Sequence, residues 1–462
     1  MTSFLFSEET IVAISSPFGM GGVAVIRCSG KDAISIVSKI FFKKNLEAFD
    51  WEKLKFRRMY YGIIAENTEI IDEVMMCVFK SPHSYTGEDI VEIYCHGSIY
   101  VQQKIVQLFI EKGARLANAG EFTVRAYLNG KINLSEAEAI GDLIHSETES
   151  AHKLAIQQLK GGYKILIDEL RDQILNFASL LELELDFSEE DVEFANRKQL
   201  INLLQNAIQK LDELLNSFQM GNAIKTGIPV VILGKPNSGK STLLNALLNE
   251  EKAIVSEIPG TTRDLIEDRM IINGILFRII DTAGIREAQD TIEKIGIERA
   301  KQSIQKAMIV ILLEDVNNRN ESETNEYIQM IQSINPSAKL LRVLNKIDTC
   351  KNIEKTDNAD TIYISAKEKI NLDKVKEKLY QIVIDNGYQP HQPMVSNIRH
   401  YNELKSAKVF LEKALKDLSS NISSELIAED LKFAIQHLSN ITGKITSEDI
   451  LTNIFSKFCI GK

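Results

Sequence analysis

The nine residues GKPNSGKST, Gly234 to Thr242, restrict what this chain can fold into more than any other stretch. They match G-x-x-x-x-G-K-[ST], a loop whose main-chain N–H groups and following helix N-terminus wrap phosphates. The apolar run PVVILG (Pro229–Gly234) precedes the loop and a helical pattern follows it, the context that this motif needs. Three more apolar runs come later: FRIIDTAG (Phe277–Gly284), AMIVILLE (Ala307–Glu314) and AKLLRVLNKID (Ala338–Asp348), with helical segments between them. Apolar strands alternating with helices predict a doubly wound α/β domain over 221–390, built on a buried parallel sheet. In its first loop Gly234 and Gly239 let the backbone turn around phosphate. Lys240 is expected to reach the β- and γ-phosphates and Ser241 to hold a magnesium ion.

The later motifs sharpen the ligand. In DTAG, Asp281 can approach the magnesium shell and the Gly284 amide the γ-phosphate, with Thr282 and Ala283 between them. In NKID, Asn345 and Lys346 lead to Asp348, whose carboxylate can accept from guanine's N1 and exocyclic amine. Adenine offers no matching pair, and a buried acceptor left unpaired costs about 1–3 kcal/mol. The SAK stretch (Ser365, Ala366, Lys367) can close over the base. Taken in order, with Asn237, Ser238, Gly239, Lys240, Ser241 and Thr242, these stretches resemble the P-loop GTPase superfamily. That resemblance implies that GTTRD (Gly260–Asp264) is a first switch, with Thr262 as the second magnesium-binding hydroxyl. Ile285 follows DTAG where Ras-like enzymes carry the glutamine that orients water. Asn237 and SEIPGTT (Ser256–Thr262) offer oxygens near the phosphates. Asn237 either serves a monovalent cation there or staples the loop.

The flanks differ in texture. Residues 1–125 mix strand-like runs (TIVAISS, GGVAVIRCSG, EVMMCVFKS, DIVEIYCHG) with a helix, SIYVQQKIVQLFIEKG, ending at Gly113. This predicts a small α/β or α+β domain. From Leu134 the pattern is helical, with Leu166, Leu170, Ile174, Phe177 and Leu181 as one stripe. Helices return after 391, with Leu404, Ala407, Leu411, Ala414 and Leu418 as a second stripe and TSED (Thr446–Asp449) as a capping box. Residues 126–220 and 391–462 therefore read as one helical domain with the 221–390 domain inserted.

Composition excludes several classes. The 462 residues are 44% hydrophobic and 26% charged, and no apolar run reaches the roughly 18 residues of a membrane span. The start, MTSFLFSEET, lacks the basic region of a signal peptide, so a cytoplasmic protein is expected. The five cysteines form no CxxC pair, against a disulfide framework or zinc site. A net charge of −10 gives no help to phosphate-backbone binding.

Across its length the chain resembles the MnmE (TrmE) family of tRNA-modification GTPases. The carriers are GGVAVIR (Gly21–Arg27), SYTGEDIVEIYCHG (Ser84–Gly97), GEFTVRAYLNGKINLSEAEAI (Gly120–Ile140), the nucleotide motifs, IEKIGIERA (Ile292–Ala300) and FCIGK (Phe458–Lys462). The resemblance implies an N-terminal α/β folate-binding and dimerisation domain, and a helical bundle carrying an inserted Ras-like GTPase domain. It implies a homodimer whose GTPase domains pair in potassium, and a heterotetramer with the FAD-dependent MnmG (GidA). The product is an aminomethyl or carboxymethylaminomethyl group at C5 of the wobble uridine of tRNA, from glycine or ammonium and a methylene-tetrahydrofolate carbon. Asn237, Ser256, Ile258 and Thr261 match the potassium positions, and Glu293 the glutamate that places the hydrolytic water. Arg27, Glu92, Lys131 and Lys462 match the positions contacting 5-formyl- or 5,10-methylene-tetrahydrofolate. Met20 departs from the family, standing where an arginine is common.

Two questions stay open in the sequence. Cys459 is either a nucleophile or a small packed residue; a lipidation box is disfavoured, because Gly461 and Lys462 are wrong for it and no polybasic run precedes. The competing function is a regulatory GTPase switch in ribosome assembly without folate chemistry. A structural dimer that binds GTP with negligible turnover is a third reading.

Overall fold

The structure, a computed structural model, describes residues 8–186, 196–249, 268–280, 293–350, 361–389, 392–420 and 423–443, with Leu451, Ile454, Phe455, Phe458 and Gly461. It divides into two compact units, 1–144 with 158–200 and 413–462, and 145–157 with 201–412.

The first unit is built on a seven-stranded sheet: β1 Ile11–Ile14, β2 Gly21–Ser29, β3 Phe41–Phe42, β4 Met59–Glu66, β5 Glu69–Phe79, β6 Ile90–Gly97 and β7 Arg115–Leu116. The order is β3-β4-β5-β6-β2-β1-β7, antiparallel throughout except for β1 with β7. Successive side chains point to opposite faces, so period-two patterning decides what each face holds. Ala24, Ile26 and Cys28 of β2 and Val91, Ile93 and Cys95 of β6 face a core shared with Ile105, Leu108 and Phe109. Those last three lie on α2 (Ile99–Glu111), which follows α1 (Ala33–Val37). The intervening residues, Arg27 on β2 and Glu92 on β6, are therefore on the opposite face, paired in register. The sequence expectation omits β4, where Gly62 leaves room that a Cβ would fill at 2.4 Å from the Phe41 ring.

Helices α3 (Glu121–Leu128), α4 (Leu134–Ile144), α6 (Lys164–Asp186) and α13 (Ser424–Thr442) belong to this unit, and α5 (Glu149–Leu159) precedes α6. On α6 the buried stripe is Ile167, Leu170, Ile174, Ala178 and Leu181. Leu166 and Phe177, expected in it, are only half-buried. The reason is geometric: α6 turns its Ile167–Ala178 side inward, which keeps the 3.6 periodicity but rotates the stripe.

The second unit holds a six-stranded sheet in the order β13-β12-β11-β8-β10-β9. Its strands are β8 Ile228–Leu233, β9 Asp268–Ile272, β10 Ile275–Ile279, β11 Ile309–Asp315, β12 Lys339–Asn345 and β13 Thr361–Tyr363. β10, β8, β11, β12 and β13 are parallel, whereas the edge strand β9 runs antiparallel to β10. The turn between them is Asn273-Gly274, both at positive φ, the pair that a two-residue hairpin favours. The helices of this unit are α7 (Arg197–Thr226, from 201 onward), α8 (Lys240–Asn249), α9 (Glu293–Lys306), α10 (Glu321–Ile334), α11 (Leu372–Asp385) and α12 (Ile398–Ser419, to 412). Leu404, Ala407, Leu411 and Ala414 of α12 are fully buried and Leu418 is half-buried. Among the described residues no helix is long and apolar enough to cross a membrane. The TSED box lies outside the described residues.

Candidate functional site

In the second unit, β8 ends in the glycine loop and α8 begins at Lys240. Two glycines are forced by close approach. At Gly234 (φ +152) a Cβ would stand 2.1 Å from the Leu313 carbonyl oxygen, and at Gly239 (φ +97) 2.3 Å from Asn345 Nδ2. Asn237 between them sits at φ +61, where asparagine is tolerated better than most side chains.

Asn345 ties three segments together. It is buried, its Nδ2 donates to the Ser238 carbonyl at 2.9 Å, and its Oδ1 accepts from the Ala366 amide at 2.9 Å. Ser365 Oγ donates to Asp348 Oδ1 at 2.6 Å, while the Asp348 side chain stays exposed and open to a ligand. Lys346, at φ +70, turns its Nζ to Asp315 at 2.7 Å. Lys367 is exposed at the edge of this cluster. The phosphate loop, NKID and SAK thus converge on one corner of the sheet.

Lys240 folds back on its own loop, donating to the Gly234 and Lys235 carbonyls, each at 2.8 Å. Burial lowers its pKa, because the ammonium has given up water for two neutral acceptors. Ser238 is 2% exposed and its Oγ has no hydrogen-bond partner among the described residues. Such an orphaned atom in a glycine loop fits a site completed by a polar ligand. Ser241 and Thr242 stand exposed on the first turn of α8, where a hydroxyl suits the oxygen preference of magnesium. A cavity of about 170 Å³ adjoins the loop, between Gly234–Ser238, the end of β11 and the start of α10. Glu293 opens α9. Ser256, Ile258, Thr261, Thr262, Asp281, Thr282, Ala283 and Gly284 lie outside the described residues.

A second cluster occupies the polar face of the first unit's sheet. Arg27 Nε donates to Glu92 Oε1 at 2.9 Å, and the Tyr94 hydroxyl donates to Glu92 Oε2 at 2.7 Å. The Arg27 guanidinium lies over two aromatic rings, Tyr85 at 5.4 Å and Phe122 at 5.7 Å. Burial, reinforced by the bond to Glu92, pushes the Tyr94 pKa up to about 12, so its phenol stays protonated. The Tyr85 loop is fixed from behind. Its hydroxyl bonds Thr123, Thr86 bonds Ser29, and buried Arg125 grips the Glu88 carboxylate. Arg27, with its Nε held by Glu92, keeps a planar fork that suits a carboxylate or the acceptor edge of a heterocycle. Lys131 is exposed and donates to the Pro82 carbonyl at 2.9 Å. It therefore lies along the 82–88 loop, and no described contact joins it to Arg27 or Glu92. Cys459 and Lys462 lie outside the described residues, but their neighbours do not: Phe458 and Gly461 are buried.

Tyr85, Tyr94 and Phe122 join this cluster without having stood out in the sequence. Tyr94 was accessible to reasoning, since it is two residues from Glu92 on one strand face. Tyr85 and Phe122 carry no local signal, because the fold alone brings them to Arg27.

Comparison with known proteins gives a consistent result. A family model described as MnmE helical domain matches residues 134–459, and one described as GTP-binding protein TrmE N-terminus matches 10–131. A Flavobacterium johnsoniae protein named tRNA modification GTPase MnmE is 48% identical, covering 99% of this chain and 100% of its own length. Proteins of the same name from Cytophaga hutchinsonii and Flavobacterium psychrophilum are each 47% identical, over 98% of this chain and 98% and 99% of their own.

Proposed function

The chain belongs to the MnmE family of tRNA modification GTPases, and on that premise we propose that it is a potassium-activated GTP hydrolase. Its turnover serves, with the FAD-dependent MnmG, to modify C5 of the wobble uridine of tRNA. The observation that carries the nucleotide part is the Asn345 junction, which joins the phosphate loop to SAK beside an open Asp348 carboxylate.

Residues 221–390 form the inserted GTPase domain, 126–220 and 391–462 its helical host, and 1–125 the folate-binding and dimerisation domain. Asp348 selects guanine by accepting from N1 and the exocyclic amine. Lys240 exchanges its two carbonyl partners for β- and γ-phosphate oxygens, gaining charged acceptors in a partly dry site. Backbone amides of Asn237 to Thr242 cradle the phosphates, and Asp281 to Gly284 border the γ-phosphate. Ser241 and Thr262 hold magnesium; Asn237, Ser256, Ile258 and Thr261 hold potassium. These ions supply positive charge where negative charge grows in the transition state, in place of an arginine finger. Glu293 orients the attacking water.

In the first unit Arg27, Glu92, Lys131 and Lys462 hold a tetrahydrofolate, which supplies the one-carbon unit. Arg27 presents its fork, Glu92 can accept from donors on the pterin edge, and Tyr94 keeps Glu92 oriented. Cys459 either reacts or packs beside this ligand, and the amine comes from glycine or ammonium.

The test is GTP hydrolysis by the full chain in potassium against sodium, with Asn237→Ala and Glu293→Ala in parallel. The reading expects strong acceleration by potassium and its loss in both variants. Equal rates in the two salts would refute it.

A further inference from the structure

A run of close contacts ties the end of the chain to both elements that flank Arg27. Gly461 is buried at φ +101, and a Cβ there would lie 2.0 Å from the Ile14 carbonyl oxygen. Ser15 Oγ donates to the Gly461 carbonyl at 2.9 Å. Ile14 ends β1, one register step beyond Ala13, which pairs with Arg27. At the other element, Gly120 caps α3 at φ +69. A Cβ on Gly120 would lie 2.7 Å from the Phe455 carbonyl oxygen and 3.0 Å from Phe458 Cβ. Two residues on, fully buried Phe122 presents its ring to the Arg27 guanidinium. Phe455 and Phe458 are themselves packed with Val124, Leu134 and Ala137, and a Cβ on Gly141 would meet the Phe458 ring at 3.0 Å.

We infer that Ser15, Gly120 and Gly461 are positioning residues that seat Phe455, Phe458 and Gly461 against β1 and α3, and thereby aim the Arg27 fork at an acidic, planar ligand. This rests on the folate reading of the Arg27–Glu92 cluster. The physical reason is the tightness of the seat. A Cβ built on Gly461 or Gly120 would fall 2.0–2.7 Å from opposing backbone oxygens, so an added methyl must displace the segment, β1 or the α3 cap. The last two carry the Arg27 strand pairing and the Phe122 ring. A rigid pair of supports holds a planar fork to the precision that bidentate recognition needs.

The experiment uses the full chain and 5-formyl-tetrahydrofolate as probe, with binding by calorimetry and hydrogen exchange by mass spectrometry. Gly461→Ala is expected to weaken binding about tenfold or more, because the methyl would meet the Ile14 carbonyl and strain a left-handed backbone. It should also speed exchange in peptides containing Phe455–Gly461 and the α3 cap. Ser15→Ala, the milder variant, is expected to weaken binding about three- to tenfold through one lost hydrogen bond, and Ser15→Thr, which keeps the hydroxyl, to restore it. GTP hydrolysis, which draws on none of these residues, should not change. Arg27→Ala is the reference. If it abolishes binding while Gly461→Ala and Ser15→Ala bind normally, the inference is overturned. Unaltered exchange in both variants overturns it as well. If Arg27→Ala binds normally, the folate reading itself has failed and the inference falls with it.

Discussion

Replacing Asn345 by alanine removes both hydrogen bonds at the junction of the phosphate loop, NKID and SAK. The Ser238 carbonyl and the Ala366 amide, each bonded at 2.9 Å, lose their partner in a buried setting. A buried donor or acceptor left unsatisfied costs about 1–3 kcal/mol, so the pair costs roughly 2–6 kcal/mol. For a unit of this size each kcal/mol moves the melting midpoint by about 2–4 °C, giving a fall of at least about 4 °C. The assay is calorimetry of the full chain with and without excess GTP. The transition that rises with nucleotide is the one to follow, since a ligand stabilises only the unit that binds it. Lys235→Ala is the control. Its ion pair with Glu323 is well exposed, so screening by water leaves it little weight in stability. A shift for Asn345→Ala no larger than the control's, with GTP affinity intact, would refute the idea that this side chain joins the three loops.

Other outcomes follow from the same geometry. Asp348→Asn replaces an acceptor with a donor, so hydrolysis should fall roughly 10²-fold or more for GTP and rise for xanthosine triphosphate, whose C2 oxygen accepts; a retained GTP preference in competition assays counts against Asp348 as the base reader. Arg27→Lys should weaken 5-formyl-tetrahydrofolate binding about tenfold, because a point cation cannot hold Glu92, lie over two rings and present a fork at once; an unchanged calorimetric affinity would contradict this. Burial pushes the Cys95 pKa up to about 11 and that of Cys28 higher still. At pH 8, then, Cys28, Cys77 and Cys95 should resist alkylation in the folded protein while half-buried Cys350 reacts, as read by mass spectrometry of labelled peptides.

Local features were legible before the fold was known. The strand, loop and helix around Gly234–Thr242 follow from an apolar run, two glycines and a helical pattern within about twenty residues. Arg27 and Glu92 stood out only through the family resemblance; their shared polar face became visible with the register of β2 against β6. The rotated stripe of α6 shows where the reading thins: apolar spacing marks a helix, but Leu166, Ile167, Phe177 and Ala178 all suit it, and only the packed neighbours choose among them. The edge strand β9 (DRMII) precedes an Asn273-Gly274 turn, and its antiparallel pairing with β10 departs from the all-parallel sheet that the alternating pattern predicts.

Chain-local patterns carried the chemistry of the nucleotide parts: a phosphate loop, an aspartate suited to guanine, and helical arms on either side. These depend on neighbours in the chain, where spacing constrains geometry. Which parts meet follows from long-range packing. Asn345 reaches a carbonyl 107 residues away, and Ser15 one 446 residues away. Arg27 meets rings from two different segments. Such contacts come from packing whole elements against a common core, and the glycines at 120 and 461 show their purpose only once the opposing backbone occupies the space that a Cβ would need.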